Sequence, residues 1–254
     1  MSAAPAVVAP SALDGPVLSA NGLVRVLDAA IGASLAPLRA SDEGWSPPVA
    51  SGAVCRALAA LGPLEFATAS GGIASLSMRA MCAPPGSVRP ENGTIAIRVL
   101  GEVAGGGGYL GTARLVARTR LGATLRFTDP DDDGEFEPAT FGLYYDRSER
   151  AFSEGFAGER PQRAGAYVVP AACGSLGGPP LGLALPLGAF LGLRPALGYD
   201  LDPRPERATR ELAARNPYLL LLCVAVAQTR LIARTLAADR RASATPGARW
   251  RPLT

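Results

Sequence analysis

The spacing of hydrophobic positions changes along the chain, and each change predicts a different kind of element. Residues 19–39 and 51–61 carry apolar side chains at helical intervals, which predicts two helices within an N-terminal helical segment, residues 19–62. From residue 64 onward the period becomes two, because apolar and polar residues alternate. The first part of the chain therefore predicts helices that pack on a sheet.

The alternating region, about residues 64–170, predicts a largely antiparallel β-sheet core. Ile95 and Ile97 alternate with small or polar residues, and Leu125 and Phe127 do the same further along. Such alternation is typical of strands that place one face in the core and the other in solvent. We therefore expect the residues of opposite parity to be exposed.

The most apolar stretch of the chain lies near its C-terminal end. Residues 218–227 are all apolar, Asn216 is a favourable helix N-cap, and Pro217 suits the first helical position. Beyond this run, arginines recur at helical spacing opposite leucine and isoleucine. The pattern predicts a long, buried C-terminal helix, residues 217–239, with residues 220–227 almost wholly inside the core. We expect these residues to contact the apolar strand faces that contain Ile97, Val99, Leu125 and Phe127.

These elements predict an α+β fold in a single globular domain, residues 19–254, preceded by a flexible arm, residues 1–18. Residues 204–241 are predicted to be helical. The Gly/Pro/Leu-rich stretch 177–193 follows neither period, so we interpret it as an apolar loop packed over the core. A loop that inserts into a membrane is the alternative, because exposed apolar patches often mark contact surfaces.

Composition excludes several kinds of catalysis. The chain contains no His, and all 25 of its basic residues are Arg. Without His there is no Ser-His-Asp triad, and without Lys there is no Schiff base or Walker A lysine. An enzyme would have to rely on carboxylates, Cys, Tyr, Arg or a metal ion. The abundance of Ala, Gly, Pro and Arg is typical of a GC-rich genome, such as that of an actinobacterium or a large DNA virus.

The cysteines and the apolar runs favour an intracellular protein. Four widely separated cysteines form no Cys-x-x-Cys motif and have no His nearby, so a structural zinc site is not expected. The N-terminus has neither the basic region nor the apolar core of a signal peptide. The longest apolar run in the last predicted helix is about ten residues, whereas a membrane span needs about 20.

An acidic loop is the candidate metal site. Asp129, Asp131 and Asp133, followed by Gly134, match the start of a calcium loop, in which alternate carboxylates converge on one cation. The twelfth position is Thr140 instead of the usual bidentate Glu. The sequence favours a solvated turn between strands here, so no cofactor is expected, and calcium binding is the alternative.

A set of arginines is the candidate binding surface. They share one strand parity, opposite to the apolar residues of the sheet, so they are expected on one face, where they could meet phosphates or an acidic partner. The net charge of only +3 and the lack of interleaved aromatic residues do not favour nucleic acid. The sequence favours a plain solvent face, because in a chain without Lys every exposed basic position must be Arg. The set consists of Arg98, Arg114, Arg118, Arg120 and Arg126, with Tyr109 as a further candidate.

Residues 76–127 contain a glycine-punctuated motif, in which Gly101, Val103, Tyr109 and Gly111 keep the order of a strand, a turn and a second strand. The segment resembles the deoxyuridine triphosphatase family, particularly its divergent herpesvirus members and their inactive relatives. The resemblance implies a related β fold.

The motif is degenerate, because Ala104 or Gly105 stands where the family has its catalytic Asp, and Leu110 replaces the motif Arg. The resemblance therefore implies that the chemistry has been lost. Together with the missing catalytic side chains, this predicts a non-enzymatic accessory or structural protein, from a large DNA virus with a GC-rich genome, that binds another protein. The alternatives are a carboxylate- or metal-dependent enzyme of deoxyuridine triphosphatase type that processes nucleotides, and a soluble bacterial binding domain.

Overall fold

The chain folds into helices on both sides of one mixed β-sheet. The computed structural model describes residues 16–40, 45–84, 93–118, 139–145, 147, 165–170, 184–204, 216–244 and 250–253. The helices within these ranges are α1 (Ala20–Arg39), α2 (Pro47–Ala60), α3 (Leu187–Leu193), α4 (Arg230–Ser243) and the 3-10 helix η1 (Pro195–Leu197). The strands within them are β1 (Leu64–Ala67), β2 (Ile73–Cys82), β3 (Ile95–Val103), β4 (Gly107–Arg118), β5 (Thr140–Tyr145), β6 (Ala166–Pro170), β7 (Leu185–Pro186), β8 (Tyr218–Ala227) and β9 (Arg251–Pro252). The predicted α+β class is confirmed.

The strand order of the sheet is β1-β2-β8-β3-β4-β5-β6-β7, and β9 pairs with the end of β2. Most neighbouring pairs are antiparallel, as predicted, but β8 runs parallel to β3, and β5 runs parallel to β4. The sheet is therefore mixed, and its interior strand β8 comes from the C-terminal part of the chain.

The predicted helix over residues 217–239 is wrong. Its apolar half, residues 218–227, is β8, and only the following polar residues form a helix, α4. Because β8 is covered on both faces, it needs no polar positions and shows no period-two alternation. A fully apolar run of ten residues fits a central strand as well as a buried helix. The true helix start is Thr229, whose side chain accepts a hydrogen bond from the backbone N of Ile232.

The predicted burial of this segment is confirmed even though its secondary structure is not. Leu220 and Leu222 are 1% and 0% exposed, and they pair with the predicted neighbours Ile97 and Val99. The other two predicted neighbours, Leu125 and Phe127, lie outside the described residues.

The two N-terminal helices are confirmed, and they cover one side of the sheet, the core face. Ser19 caps α1, accepting a hydrogen bond from the backbone N of Gly22. Helix α2 begins earlier than predicted, with Pro47 in its first turn. Ser51, the first residue of the predicted second helix, instead lies buried inside α2, where its hydroxyl donates to the carbonyl O of Gly93 at 2.5 Å. The core face buries side chains from both helices and the sheet, including Leu23, Leu27, Ile31, Val54, Leu58, Leu76, Ile97, Leu115, Leu143 and Val224.

The apolar stretch predicted as a loop contains regular structure in its second half. Residues 185–193 form β7 and α3, whereas residues 177–183 lie outside the described part. Gly188 donates its backbone N–H to Asp28 Oδ1 of α1 at 2.9 Å, and a Cβ at Gly192 would lie 3.2 Å from Leu23. Glycines at these contacts let α3 approach α1 closely, and their lack of side chains weakens the helical pattern in the sequence.

Two other predicted segments are only partly described. Residues 1–15 of the predicted arm and residues 205–215 of the predicted C-terminal helical region lie outside the described ranges. Leu18, at the end of the predicted arm, forms a bridge with Phe66 of β1, and Leu18 N donates to the Glu65 carbonyl O at 2.7 Å. In the part of the chain that the structure describes, no helix is long and apolar enough to cross a membrane.

The contact between Asp28 and α3 predicts a pH-dependent stability. Burial raises the pKa of Asp28 from 3.8 to about 6, although the hydrogen bond from Gly188 lowers it in part. The folded protein thus holds this proton more tightly than the unfolded chain, so the contribution of Asp28 to stability falls as the pH rises from about 4 to about 6. We expect Asp28→Asn, which keeps the acceptor for Gly188, to raise the free energy of unfolding above pH 7 by up to about 3 kcal/mol.

Thermal melts between pH 4 and pH 8 will check this expectation, because protonated Asp28 and the asparagine that replaces it are nearly equivalent at the acidic end. The exposed Asp239 of α4 provides the control, since Asp239→Asn removes the same charge from the surface. A stability gap between Asp28→Asn and the wild type that stays constant across this pH range would contradict the assignment.

Candidate functional site

The structure describes only part of the predicted site residues. No group of three or more His, Cys, Asp or Glu side chains that could hold a metal ion occurs among the described residues. Arg118 is the last residue of β4. The predicted residues that lie outside the described ranges are Asp129, Asp131, Asp133, Arg120 and Arg126.

The predicted arginine surface is partly assembled in the sheet. Arg98 of β3 pairs with Thr112, and Arg114 of β4 pairs with Ala96, so both arginines lie on the side of the sheet opposite the core face. We refer to this side as the second face. Tyr109 pairs with Gly101 and therefore lies on the core face, where its hydroxyl donates to the carbonyl O of Ala196 at 3.2 Å. The structure thus separates Tyr109 from the arginines.

The second face is not open to solvent, contrary to the prediction from alternation, because α4 crosses it. Ser75 and Ser77 of β2 have the parity of exposed residues, yet they are 1% and 5% exposed. Ala233 and Ala237 form the buried side of α4, and these small residues let the helix lie close to the strands. The large apolar residue Leu231, by contrast, is 75% exposed.

Ion pairs at both ends of α4 fix its direction across the sheet. Glu65 of β1 accepts hydrogen bonds from Arg230 and Arg234 near the helix start, and Arg240 donates to Glu102 of β3 at 2.5 Å. Arg230 and Arg240 are ten residues apart, which is about 15 Å along a helix axis. From β1 to β3 there are three strand spacings, about 14 Å. Helix α4 therefore runs nearly perpendicular to the strands.

Glu65 is a buried carboxylate held by two arginines. Burial acts to raise its pKa, but the hydrogen bonds and charges of Arg234 and Arg230 outweigh this effect and lower the pKa below the usual value. Glu65 is therefore ionised at neutral pH and anchors the N-terminal half of α4. Removing one partner of such a buried pair is destabilising because the other charge stays behind.

Three further arginines on the second face form a cluster that we call the cation trio: Arg79 of β2, Arg98 of β3 and Arg241 of α4. None of the three forms an ion pair with a carboxylate among the described residues. Arg79 Nη1 donates to the carbonyl O of Arg241 at 3.5 Å. The positive charges of all three act on the thiol of Cys223, which lies beneath them on β8.

The cation trio does not turn Cys223 into a nucleophile. Burial raises the pKa of its thiol, and the charges of Arg79, Arg241 and Arg98, together with the Ser77 hydroxyl, reverse this only in part. Burial also raises the pKa of Cys55 to about 12. Both thiols are therefore protonated at neutral pH, and the thiolate is the form that reacts.

A groove of about 360 Å³ opens between β2 and α4, beside the cation trio. We call it the α4 groove. Ser75 is buried at the groove, and its hydroxyl O has no hydrogen-bond partner in the described structure. Positively charged arginines and donor hydroxyls around a cavity are suited to bind an anion. The residues that line the groove are Pro63, Ser75, Ser77, Arg234, Ala237, Ala238 and Arg241.

The sequence alone does not indicate that the arginines of α4 belong to a binding site. Arg230, Arg234 and Arg241 recur at intervals of four and seven, which predicts one helical stripe on the solvent side of a buried helix. The available signal is the pair Ala233 and Ala237, which marks a helix side that can pack closely. Nothing in the sequence indicates which strands that side contacts.

Comparison with known proteins identifies no related protein. No protein family, no curated protein and no solved structure matches the chain. In the structure, the glycine-punctuated motif is the hairpin of β3 and β4, in which Gly101 pairs with Tyr109, Val99 with Gly111 and Val103 with Gly107. The resemblance to deoxyuridine triphosphatases stays a prediction from the sequence.

Proposed function

We propose that the chain is a non-enzymatic binding protein that holds an acidic segment of another protein against the cation trio. The observation that carries this proposal is that Arg79, Arg98 and Arg241 lie together without a carboxylate partner among the described residues. Elsewhere on the second face, arginines of α4 are held by Glu65 and Glu102. The trio therefore leaves a positively charged area that an external acid can neutralise.

The environment of the Arg98 side chain supports the binding of an external anion. Burial lowers the pKa of its guanidinium, so the charge is held in an unfavourable environment. Its Nε atom is buried and has no hydrogen-bond partner in the part of the chain that the structure describes. A carboxylate that binds the guanidinium of Arg98 would stabilise its charge, which favours binding over a merely solvated surface.

Binding of a short fluorescein-labelled Asp/Glu peptide to the full chain, followed by fluorescence anisotropy, tests the proposal. We expect measurable binding at low salt that weakens as salt is added, because the charges on this surface are screened. Arg98→Gln removes one charge-assisted contact and should weaken the affinity about tenfold, which corresponds to about 1.4 kcal/mol.

The matched control is Arg56→Gln, which removes the same charge from an exposed position of α2, on the other side of the sheet. We expect this variant to bind nearly as well as the wild type. Equal losses for Arg98→Gln and Arg56→Gln would mean that only net charge matters, and would contradict the site. Hydrolysis of deoxyuridine triphosphate with magnesium above the buffer rate would contradict the non-enzymatic part of the proposal.

A further inference from the structure

We propose that the α4 groove binds a phosphoryl group, carried by a phosphorylated residue within the acidic partner segment. This inference rests on the proposed function and adds the chemistry of the group that anchors the partner. It follows from the donors that line the groove, from the charge beside them and from the size of the cavity.

The donors come from two serines on one strand. Ser75 and Ser77 are two residues apart on β2, so their side chains project to the same face of the sheet, about 7 Å apart at the Cα atoms. Both line the groove. The buried Ser75 hydroxyl has no hydrogen-bond partner in the described structure, and next to arginines it is suited to donate to an anion.

The positive charge beside these hydroxyls matches a phosphoryl dianion better than it matches the single negative charge of a carboxylate. Arg241 lines the groove directly, and Arg79 follows Ser77 on the same strand face and donates to the carbonyl O of Arg241. Two guanidinium groups thus lie at one end of the pair of hydroxyls. Two negative groups are also close. The Glu65 carboxylate lies across the strands from Ser75 and is already paired with Arg230 and Arg234, and the negative end of the α4 dipole amounts to roughly half an elementary charge, which the two full positive charges of Arg79 and Arg241 outweigh.

The size and lining of the groove restrict what carries the phosphoryl group. About 360 Å³ is near the lower limit of the usual range for ligand pockets. None of the described residues that line it is aromatic, so it offers no surface on which a nucleic-acid base can stack. Ala237 and Ala238 instead provide short side chains beside the hydroxyls, which leaves room for one phosphorylated side chain.

The test compares three labelled peptides of the same acidic sequence, in which one central position is phosphoserine, glutamate or alanine. Binding to the full chain is measured by fluorescence anisotropy, and inorganic phosphate is added as a competitor. We expect the phosphoserine peptide to bind about tenfold more tightly than the glutamate peptide, because the dianion receives more charge-assisted hydrogen bonds. Phosphate at millimolar concentration should displace the phosphoserine peptide.

Substitutions in the α4 groove test whether its serines cause the preference for the phosphoserine peptide. Ser75→Ala combined with Ser77→Ala should remove most of the preference for phosphoserine, while the affinity for the alanine peptide, whose central side chain offers no acceptor to the groove, changes by less than about twofold. The control is Ser70→Ala, an exposed serine in the turn between β1 and β2. Thermal melts of the variants verify that they are folded, and the unchanged binding of the alanine peptide provides a second check.

The possible outcomes distinguish a failure of the phosphoryl site from a failure of the proposed function. Equal affinity for the phosphoserine and glutamate peptides would overturn the phosphoryl site but leave the acidic-partner proposal standing. Failure of all three peptides to bind would overturn both proposals. Binding of phosphate without binding of the phosphoserine peptide would indicate a small phosphate ester as the ligand, and would overturn the assignment to a partner protein.

Discussion

Replacing Leu222 with aspartate will prevent the chain from folding. Leu222 is fully buried at the centre of β8, between Met78 of β2 and Val99 of β3. The substitution puts an unpaired carboxylate into the core, at a cost of several kcal/mol. Because a domain of this kind is held together by roughly 5–15 kcal/mol, we expect an insoluble or protease-sensitive product. Soluble yield and limited proteolysis will measure this effect.

The control for this experiment is the same substitution at Leu231, which is 75% exposed on α4. Leu231→Asp should stay soluble and melt within a few degrees of the wild type, because its side chain already contacts water. If Leu222→Asp melts like Leu231→Asp, the residues of β8 are not in the core, and the strand order of the sheet is wrong.

Replacing Gly101 with alanine should lower the free energy of unfolding by about 2–3 kcal/mol. A Cβ at Gly101 would overlap the ring of Tyr109, which lies directly over this glycine on the core face. The ring must then move and lose its hydrogen bond to the carbonyl O of Ala196, and with it the contact that joins the β3–β4 hairpin to η1. Urea unfolding curves will give the change in free energy.

A second glycine of the same hairpin gives a matched control. A Cβ at Gly106 would lie 3.4 Å from the side chain of Val103 and 3.7 Å from its carbonyl O, which are ordinary contacts. We therefore expect Gly106→Ala to change stability by less than about 0.5 kcal/mol. A loss at Gly106→Ala as large as at Gly101→Ala would show that the hairpin is sensitive to any added methyl group and that the position of Tyr109 is not the cause.

The sequence correctly predicts the elements that have one buried side and one polar side. The amphipathic pattern of α1 and its cap Ser19 are local features, so the helix can be recognised without knowledge of its partners. Strand parity likewise predicts that Ile97 is buried and that Arg98 points the other way. Strand β8 has no polar side, and for such a segment neither period is visible.

The candidate site is less predictable because its members meet only through long-range contacts. Glu65 and Arg230 are separated by 165 positions in sequence, and Glu102 and Arg240 by 138. Helical spacing shows that the α4 arginines share a side of the helix, but the docking of that side depends on the position of β8. Because the sequence predicts a helix where the structure has β8, it does not predict the α4 groove.

The position of β8 between β2 and β3 imposes an order on folding. Its two neighbours, β2 and β3, precede it by more than a hundred residues, and both must keep an edge open until β8 arrives. During synthesis, residues 64–118 therefore emerge long before the strand that joins β2 to β3. Pairing across such distances is slow, and unpaired apolar edges invite association with other chains. A nascent chain of this protein depends on β8 to join β2 to β3, so the period before that pairing is when it is most exposed to aggregation.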